Sequence, residues 1–160
     1  MAEQKTNVMR ILDQKKVPYT PHSYPHGEEA VDGVTVAAMT GLDPAAVFKT
    51  LVAQGASRKI YVFVIPVARE LDLKKAAKAA GEKSVAMIHV KEITALTGYV
   101  RGGCSPIGMK KQYTTFFHGT VNELETVTVS AGKIGYQVEL SPAALMKLTN
   151  GRTADIAAEE

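Results

Sequence analysis

An uninterrupted apolar run at residues 60–65 does most to restrict what this chain can fold into. A strand that is apolar at every position belongs inside a sheet, because both of its faces must be covered. A second β-rich stretch at residues 47–52 precedes it, and residues 55–58 between the two suit a hairpin connection. The sequence therefore predicts a central antiparallel pair of strands.

Along the rest of the chain, predicted helices and strands do not alternate regularly. Helices are predicted at residues 5–16, 34–39, 73–80, 90–97 and 142–148, with another helix start at Asp43-Pro44, a capping box from Thr120 to Glu123, and a loop at 26–33. Strands are predicted at residues 19–24, 84–88, 114–117, 125–130 and 135–140, the first as an edge strand because prolines surround it. This pattern predicts an α/β (α+β) fold, with a curved, mixed, mainly antiparallel sheet or barrel-like core and flanking helices, formed by residues 1–160 as one domain.

Charge and cysteine content restrict the functional class. The net charge of +3 is mild for 160 residues, so it permits an RNA partner without requiring one. Cys104 is the only cysteine, so no intrachain disulfide can form and nothing indicates an oxidising compartment. The polar first residues and the lack of a long apolar run predict a cytoplasmic protein without a membrane partner.

Lys49 is the sharpest single signal for a site. It lies in the otherwise β-rich stretch at 47–52, where a charge costs free energy unless it is paired or used. Alternation places it on one strand face with Leu51, or at a strand end that opens into a cleft. The alternative is a lysine at a strand edge that extends its ammonium group into solvent.

The stretch at residues 101–111 combines three glycines, a proline and two adjacent lysines. Glycines let backbone amides converge on an anion or a developing oxyanion, and Lys110 and Lys111 would add positive charge. A similar glycine-lysine turn occurs at residues 130–135. A plain glycine-rich turn with solvated lysines is the alternative interpretation.

No conventional nucleophile or metal site is apparent. Cys104 would need a base such as His118 or His89 to act as a nucleophile, and no cysteine-hydrolase signature surrounds it, so we expect a small buried residue. His22 and His26 are four residues apart in an extended segment, which is poor spacing for metal ligands. We therefore expect neither a metal nor a cofactor.

Three motifs taken together resemble the YbaK family, the free-standing relatives of the bacterial prolyl-tRNA synthetase editing domain. They are Phe-Lys-Thr-Leu at residues 48–51, the glycine-rich stretch at 98–108, and the glycine-lysine turn at 130–135. The segments at 72–78 and 17–24 are similar to the same family. The resemblance spans nearly the whole chain and is greatest to the branch of Cys-tRNA(Pro) deacylases.

The resemblance implies a substrate and a mechanism. The substrate would be the acceptor end of tRNA(Pro) carrying cysteine, with prolyl-tRNA synthetase as a second partner. The substrate thiol would attack its own ester carbonyl and leave as a thiolactone, so the protein would need no nucleophile. The competing hypotheses are removal of alanine by activated water, and a non-enzymatic module that binds tRNA or a synthetase.

The resemblance also implies site residues. Lys49 and Gly102 would be catalytic. The substrate-binding residues would be Tyr24, Thr50, Gly103, Ser105, Pro106 and Gly132. Residues 25–33 depart from the family, because they lack an aromatic side chain that some relatives place there. Lys74, Lys75 and Lys78 would form a basic helix face that contacts tRNA, or a solvated face with no partner.

Overall fold

The computed structural model describes residues 5–25, 33–100 and 103–158. The helices are α1 Asn7–Gln14, α2 Gly33–Thr40, α3 Leu73–Ala80, α4 Val90–Thr97 and α5 Pro142–Thr149, with short 3-10 helices at Pro44–Ala46 and Gly119–Glu123. The strands are β1 Tyr19–Ser23, β2 Phe48–Gly55, β3 Ile60–Pro66, β4 Val85–Met87, β5 Thr114–His118, β6 Val127–Ser130, β7 Tyr136–Leu140 and β8 Arg152–Ala154. The predicted loop at 26–33 lies outside the described residues except for Gly33, where α2 begins.

The central pair is confirmed. Strands β2 and β3 are antiparallel from Phe48 opposite Pro66 to Gln54 opposite Ile60. They belong to a mixed sheet in the order β4-β2-β3-β5-β8, in which β3, β5 and β8 are parallel. Six of the seven residues of β3 are buried, as expected for a strand covered on both faces.

A second, antiparallel sheet has the order β1-β7-β6, and β1 is its edge strand as predicted. The two sheets meet at one isolated parallel bridge between Val47, just before β2, and Thr128 in β6. Strands β1, β7, β6 and β2 therefore follow one another across a curved surface. The mixed α/β architecture expected from the sequence is confirmed.

This curved surface has an inner and an outer face. The inner face packs into the larger core, in which α1 buries Val8 and Leu12 against Val129 and Val138. The outer face of the mixed sheet is covered by Ala76 and Ala77 of α3, which pack with Phe63 and Ile65 of β3. Along each strand, successive side chains consequently point alternately into the larger core and toward the outer face, which is only partly covered.

Several helix ends behave as the sequence predicts. The Asp72 carboxylate accepts hydrogen bonds from the N–H groups of Lys74 and Lys75, and Gly81 ends α3 with a φ of 71°. Ser141 caps α5 in the same way. Such caps satisfy backbone groups that a helix cannot pair internally. None of the described helices is long and apolar enough to cross a membrane.

Two features differ from the predictions. The capping box from Thr120 to Glu123 is wrong, because His118 is the N-cap of that 3-10 helix and makes no side-chain capping bond. Thr120 lies inside the helix, and its hydroxyl oxygen is buried without a hydrogen-bond partner. Strand β8 was not predicted, since three residues carry too little periodicity to be recognised.

Candidate functional site

Lys49 lies where the two sheets separate. One edge of β2 contacts β6 through Val47, and the same edge pairs with β4 from Ala53 onward. Lys49 occupies the interval between these contacts and is half-buried. Its ammonium group makes no hydrogen bond or ion pair with any described residue. It is therefore a cation without a counterion among the described residues, at the place where the two sheets separate.

The neighbouring Thr50 faces the other way. Alternation along β2 puts it on the side of Phe48 and Val52, which are buried in the larger core. Its hydroxyl oxygen is buried and has no hydrogen-bond partner. The backbone of Thr50 is therefore next to that of Lys49, but the two side chains lie on opposite faces of β2.

A polar row crosses the outer face beside Lys49. Val129 and Val138 point into the core, so Ser130 and Gln137 project from the opposite face of their strands. Ser130 is paired with Gln137, and Gln137 with His22 of β1. We call Lys49, Ser130, Gln137 and His22 the polar row.

The parallel bridge fixes the start of this row. Lys49 lies two residues after Val47, and Ser130 lies two residues after Thr128, so both point to the same side. Paired strands are about 4.8 Å apart, so two such spacings separate β2 from β7 at the bridge, and the backbones of Lys49 and Gln137, beyond the bridge, are at least about 10 Å apart. Both side chains are long enough to reach one ligand between them.

Tyr24 lies just beyond the far end of the row. It follows β1 and is two residues past His22. Its backbone N–H donates to the carbonyl oxygen of Gly135 at 3.0 Å, and its side chain is buried. The predicted pocket residue Tyr24 is therefore fastened to the turn at 130–135.

The two glycine-rich segments contact each other. A Cβ atom on Gly103 would lie 3.0 Å from the backbone nitrogen of Ile134, which is tighter than most Cβ contacts, so glycine suits this close approach. Gly132 has a φ of 90°, and a Cβ there would lie 2.8 Å from the Tyr99 ring. Gly103 therefore brings the two glycine-rich segments together, and Gly132 lets its own turn pack on Tyr99.

The amide of Gly103 is already used. Its N–H donates to the carbonyl oxygen of Val100 at 3.0 Å. The N–H groups of Cys104 and Ser105 donate to no described residue. Gly102, the other predicted oxyanion donor, lies outside the described residues. The amides of Cys104 and Ser105 are therefore among the described amides of this loop that are left to bind an anion, as are those of Gly108, Met109 and Lys111.

Ser105 and Pro106 are buried within the loop. The Ser105 hydroxyl oxygen accepts a hydrogen bond from the N–H of Ile107 at 3.2 Å. The Tyr99 hydroxyl donates to the carbonyl oxygen of Ile107 at 2.5 Å. These bonds give the loop a fixed shape, so the side chain of Ser105 holds the backbone rather than facing an open cavity.

Cys104 is buried, as expected from the sequence. Burial raises the pKa of its thiol to about 11, and a hydrogen bond with Thr97 only partly opposes this shift. The thiol is therefore protonated at neutral pH and is a poor nucleophile. Within the described ranges, no group of three or more His, Cys, Asp or Glu side chains could hold a metal ion.

A histidine–carboxylate pair lies at the other end of the row. His22 Nε2 is 2.8 Å from Glu139 Oε1. Hydrogen bonds from Thr126 and then from His22 lower the pKa of the Glu139 carboxyl below its usual value. Three strand spacings, about 14 Å, separate His22 from Lys49. This pair does not supply a base next to Lys49.

Sequence reasoning missed Ser130 as a side chain of the site, and it missed Gln137 altogether. The available signal was the alternation of polar residues with valines in residues 127–130 and 136–138. That alternation marks two polar positions on one strand face. It does not show that the face adjoins Lys49, because the connection depends on the long-range bridge between Val47 and Thr128.

Comparisons with known proteins identify the family of this chain. The model of the aminoacyl-tRNA editing domain family matches residues 28–148. A relative from Enterococcus faecalis, named as a Cys-tRNA(Pro)/Cys-tRNA(Cys) deacylase, EbsC, is 48% identical over 99% of this chain and 96% of its own length.

Solved structures share the fold at lower identity. The hypothetical protein APE2540 has a TM-score of 0.84 at 21% identity, over 96% of this chain and all of that one. A protein described as a trans-editing enzyme for prolyl tRNA synthetase has a TM-score of 0.82 at 20% identity, over 98% of this chain and all of that one. The family model covers most of the chain, and the Enterococcus relative covers nearly all of it; the chain belongs to the aminoacyl-tRNA editing domain family.

Proposed function

We propose that this protein is a trans-editing deacylase that removes cysteine from mischarged Cys-tRNA(Pro). The observation that carries the proposal is the 48% identity, over nearly the full length of both chains, to a relative named for this activity. The polar row agrees with it, because a half-buried lysine that has no partner among the described residues suits a polar, anionic substrate. The family connection adds aminoacyl-tRNA as the general substrate class.

The reaction we propose uses the substrate as its own nucleophile. The cysteine thiol attacks the ester carbonyl, the bond to the ribose oxygen breaks, and the thiol proton ends on that oxygen. The products are a thiolactone and intact tRNA. A nucleophile held beside its target has an effective molarity of order 10⁵ M or more in well-oriented cases. This step needs no protein nucleophile, which agrees with a protonated Cys104.

Positive charge and amides would stabilise the intermediate. The Lys49 ammonium would lie beside the carbonyl oxygen as it becomes negative, or beside the terminal phosphates. Gly102 remains a proposed oxyanion donor. The amides of Cys104 and Ser105, which donate to no described residue, are further donors on the same loop. Gly103 and Gly132 would shape the wall that holds the aminoacyl end, next to Tyr24.

The setting of this activity follows from the same proposal. The acceptor end of tRNA(Pro) would be the macromolecular partner, and prolyl-tRNA synthetase would supply the mischarged product. The deacylation would take place in the cytoplasm and would be carried out by residues 1–160 as one domain.

Parallel deacylation assays test the proposal. Cysteinyl, seryl, alanyl and prolyl esters of tRNA(Pro), together with Cys-tRNA(Cys), are incubated with the enzyme, and the first product is trapped and identified. We expect the cysteinyl esters to be cleaved far faster than the seryl ester, with thiolactone released first. Comparable rates on the seryl and cysteinyl esters, with free amino acid as the first product, would contradict the substrate-assisted reaction.

A further inference from the structure

Gln137 is a buried polar side chain of the polar row whose hydrogen bonding is incomplete. It is 7% exposed. Its Oε1 atom is fully buried and has no hydrogen-bond partner, and the carboxamide as a whole bonds to no described residue. A buried polar group without a partner is costly to keep and uncommon in native proteins. Such a group points to a ligand that completes its hydrogen bonds.

The position of Gln137 makes the aminoacyl group the natural ligand. Gln137 is central in the polar row, paired with Ser130 on one side and His22 on the other. The Ser130 hydroxyl oxygen already accepts a hydrogen bond from Gly132 N–H at 3.1 Å, and the His22 ring contacts Glu139. Lys49 is a cation and repels a second cation, whereas Gln137 is neutral and offers an acceptor oxygen.

The chemistry of Oε1 selects one part of the substrate. A carboxamide oxygen can only accept a hydrogen bond. The ester carbonyl of an aminoacyl group is itself an acceptor and has to be near Lys49 in the proposed reaction. The α-amino group is a donor attached one carbon away from that carbonyl. It can therefore reach Gln137 while the carbonyl stays on the lysine side of the row.

We propose that Gln137 binds the α-amino group of the esterified amino acid and so helps to select α-aminoacyl esters. This inference rests on the proposed deacylase function and adds a binding residue to it. Gln137 orients the substrate and takes no part in bond making or breaking. The neutral carboxamide tolerates the amino group in either protonation state, since both states carry N–H donors.

A cycle of two enzymes and two substrates tests the inference. The substrates are Cys-tRNA(Pro) and 3-mercaptopropionyl-tRNA(Pro), which keeps the thiol and the ester but lacks the α-amino group. The enzymes are the wild type and Gln137→Met, which has a similar shape but no acceptor oxygen. We expect the wild type to prefer the cysteinyl ester in kcat/KM by about 10–100-fold, the usual effect of one such hydrogen bond.

In the Gln137→Met variant this preference should disappear, because cleavage of the cysteinyl ester slows while cleavage of the amino-free ester is unchanged. Gln137→Glu keeps an acceptor oxygen and should retain the preference. Gln54→Met is the matched control, since Gln54 lies at the hairpin end of β2 and bonds to the Arg58 carbonyl oxygen. It should change neither rate.

Folding supplies a second readout. The melting temperature of Gln137→Met should equal or exceed that of the wild type, because the substitution removes an unpaired buried carboxamide. An equal loss on both esters, or a melting temperature lower by several degrees, would overturn the inference by showing a structural role. A wild type that cleaves the two thiol esters equally would overturn it too. A wild type that cleaves neither ester would refute the proposed function, and the inference with it.

Discussion

Lys49 lies on the edge of β2 between the bridge to β6 and the pairing with β4, where the two sheets separate. Strand pairing holds its backbone through Ile65 of β3. The residues before and after it on the same strand are bound to β6 and β4. The backbone of Lys49 is thus held in place, and its ammonium group has no counterion among the described residues. A positive charge that a substrate orders at this position would stabilise negative charge as it develops in the reaction.

The first prediction concerns this charge. Lys49→Ala should reduce kcat/KM for Cys-tRNA(Pro) by about 10²–10³-fold, the usual effect of removing one preorganised electrostatic contact. The circular dichroism spectrum and melting temperature should stay close to those of the wild type, because the side chain is half-buried and bonds to no described residue. Lys147→Ala on the exposed side of α5 is the control. A folded Lys49→Ala protein with wild-type activity would remove Lys49 from the site.

At the scale of elements, the two glycine-rich turns pack against each other. Gly132 contributes a positive φ and leaves space for the Tyr99 ring. Tyr99 in turn bonds to Ile107 in the other loop. A side chain at residue 132 would disturb both turns, because moving either the Tyr99 ring or the backbone of the turn at 130–135 costs free energy.

The second prediction follows from that contact. Gly132→Ala should lower the free energy of unfolding by about 1–3 kcal/mol, since a Cβ would overlap the Tyr99 ring and strain the backbone. Gly119→Ala is the matched control, because nothing lies within 4 Å of the added Cβ and its φ is not in the left-handed region. Urea denaturation measures both. Equal effects of the two substitutions would contradict the proposed packing of the turn.

The basic face of α3 is smaller than its sequence suggests. Lys74 and Lys78 are exposed, but Lys75 is half-buried. Its ammonium group lies 3.2 Å from Asp155 and donates to the carbonyl oxygen of Ala157 at 3.3 Å. Lys75 therefore fastens the chain beyond β8 to the helix, and only Lys74 and Lys78 of the three lysines are available to tRNA phosphates.

The third prediction separates these roles. Lys74→Glu with Lys78→Glu should weaken tRNA binding and reduce its dependence on salt, while leaving the melting temperature unchanged. Lys75→Glu should instead lower the free energy of unfolding, by about 1 kcal/mol for loss of a partly exposed ion pair. Filter binding at several salt concentrations and thermal denaturation measure the two effects. If the double variant bound tRNA as tightly as the wild type, α3 would be excluded from the tRNA interface.

Local signals were enough for most elements but not for the assembly of the site. The apolar run at 60–65 and the caps at Asp72 and Ser141 depend on nearby residues, so the sequence predicts them. The polar row depends on the bridge between Val47 and Thr128, which joins residues far apart in sequence. No local pattern encodes such a contact, and for this reason Gln137 was not predicted.

At the scale of the whole molecule, the last described residues close one side of the mixed sheet. Strand β8 pairs with β5, and Leu71 bridges Ala157. Ile156 is fully buried, and its N–H donates to Nδ1 of His118 at 3.3 Å. The Arg69 guanidinium lies 3.0 Å from Nε2 of the same ring. The arrangement disfavours the imidazolium form, because that form carries an N–H at both nitrogens, and these face the Ile156 N–H and the Arg69 cation.

The fourth prediction is that this closure makes stability depend on pH. Burial, and then the Arg69 guanidinium, lower the pKa of His118 below its ordinary value of 6.5, with Asp155 and Glu123 opposing and Lys75 reinforcing the shift. As pH falls below about 6.5, the unfolded chain takes up the proton first, so the free energy of unfolding should decrease from there toward the lowered pKa. Carboxyl groups with lowered pKa values, such as Glu139, contribute only below about 4.5.

Urea denaturation between pH 7.5 and pH 5 isolates the histidine from those carboxyl groups. His118→Asn keeps an acceptor for the Ile156 N–H but cannot be protonated, so it should flatten the decrease across this range. The exposed His89 is the matched control, and His89→Asn should keep the slope of the wild type. If His118→Asn retained the full slope, protonation of another group would have to destabilise the fold. The contact between the C-terminal segment and β5 would then be independent of pH.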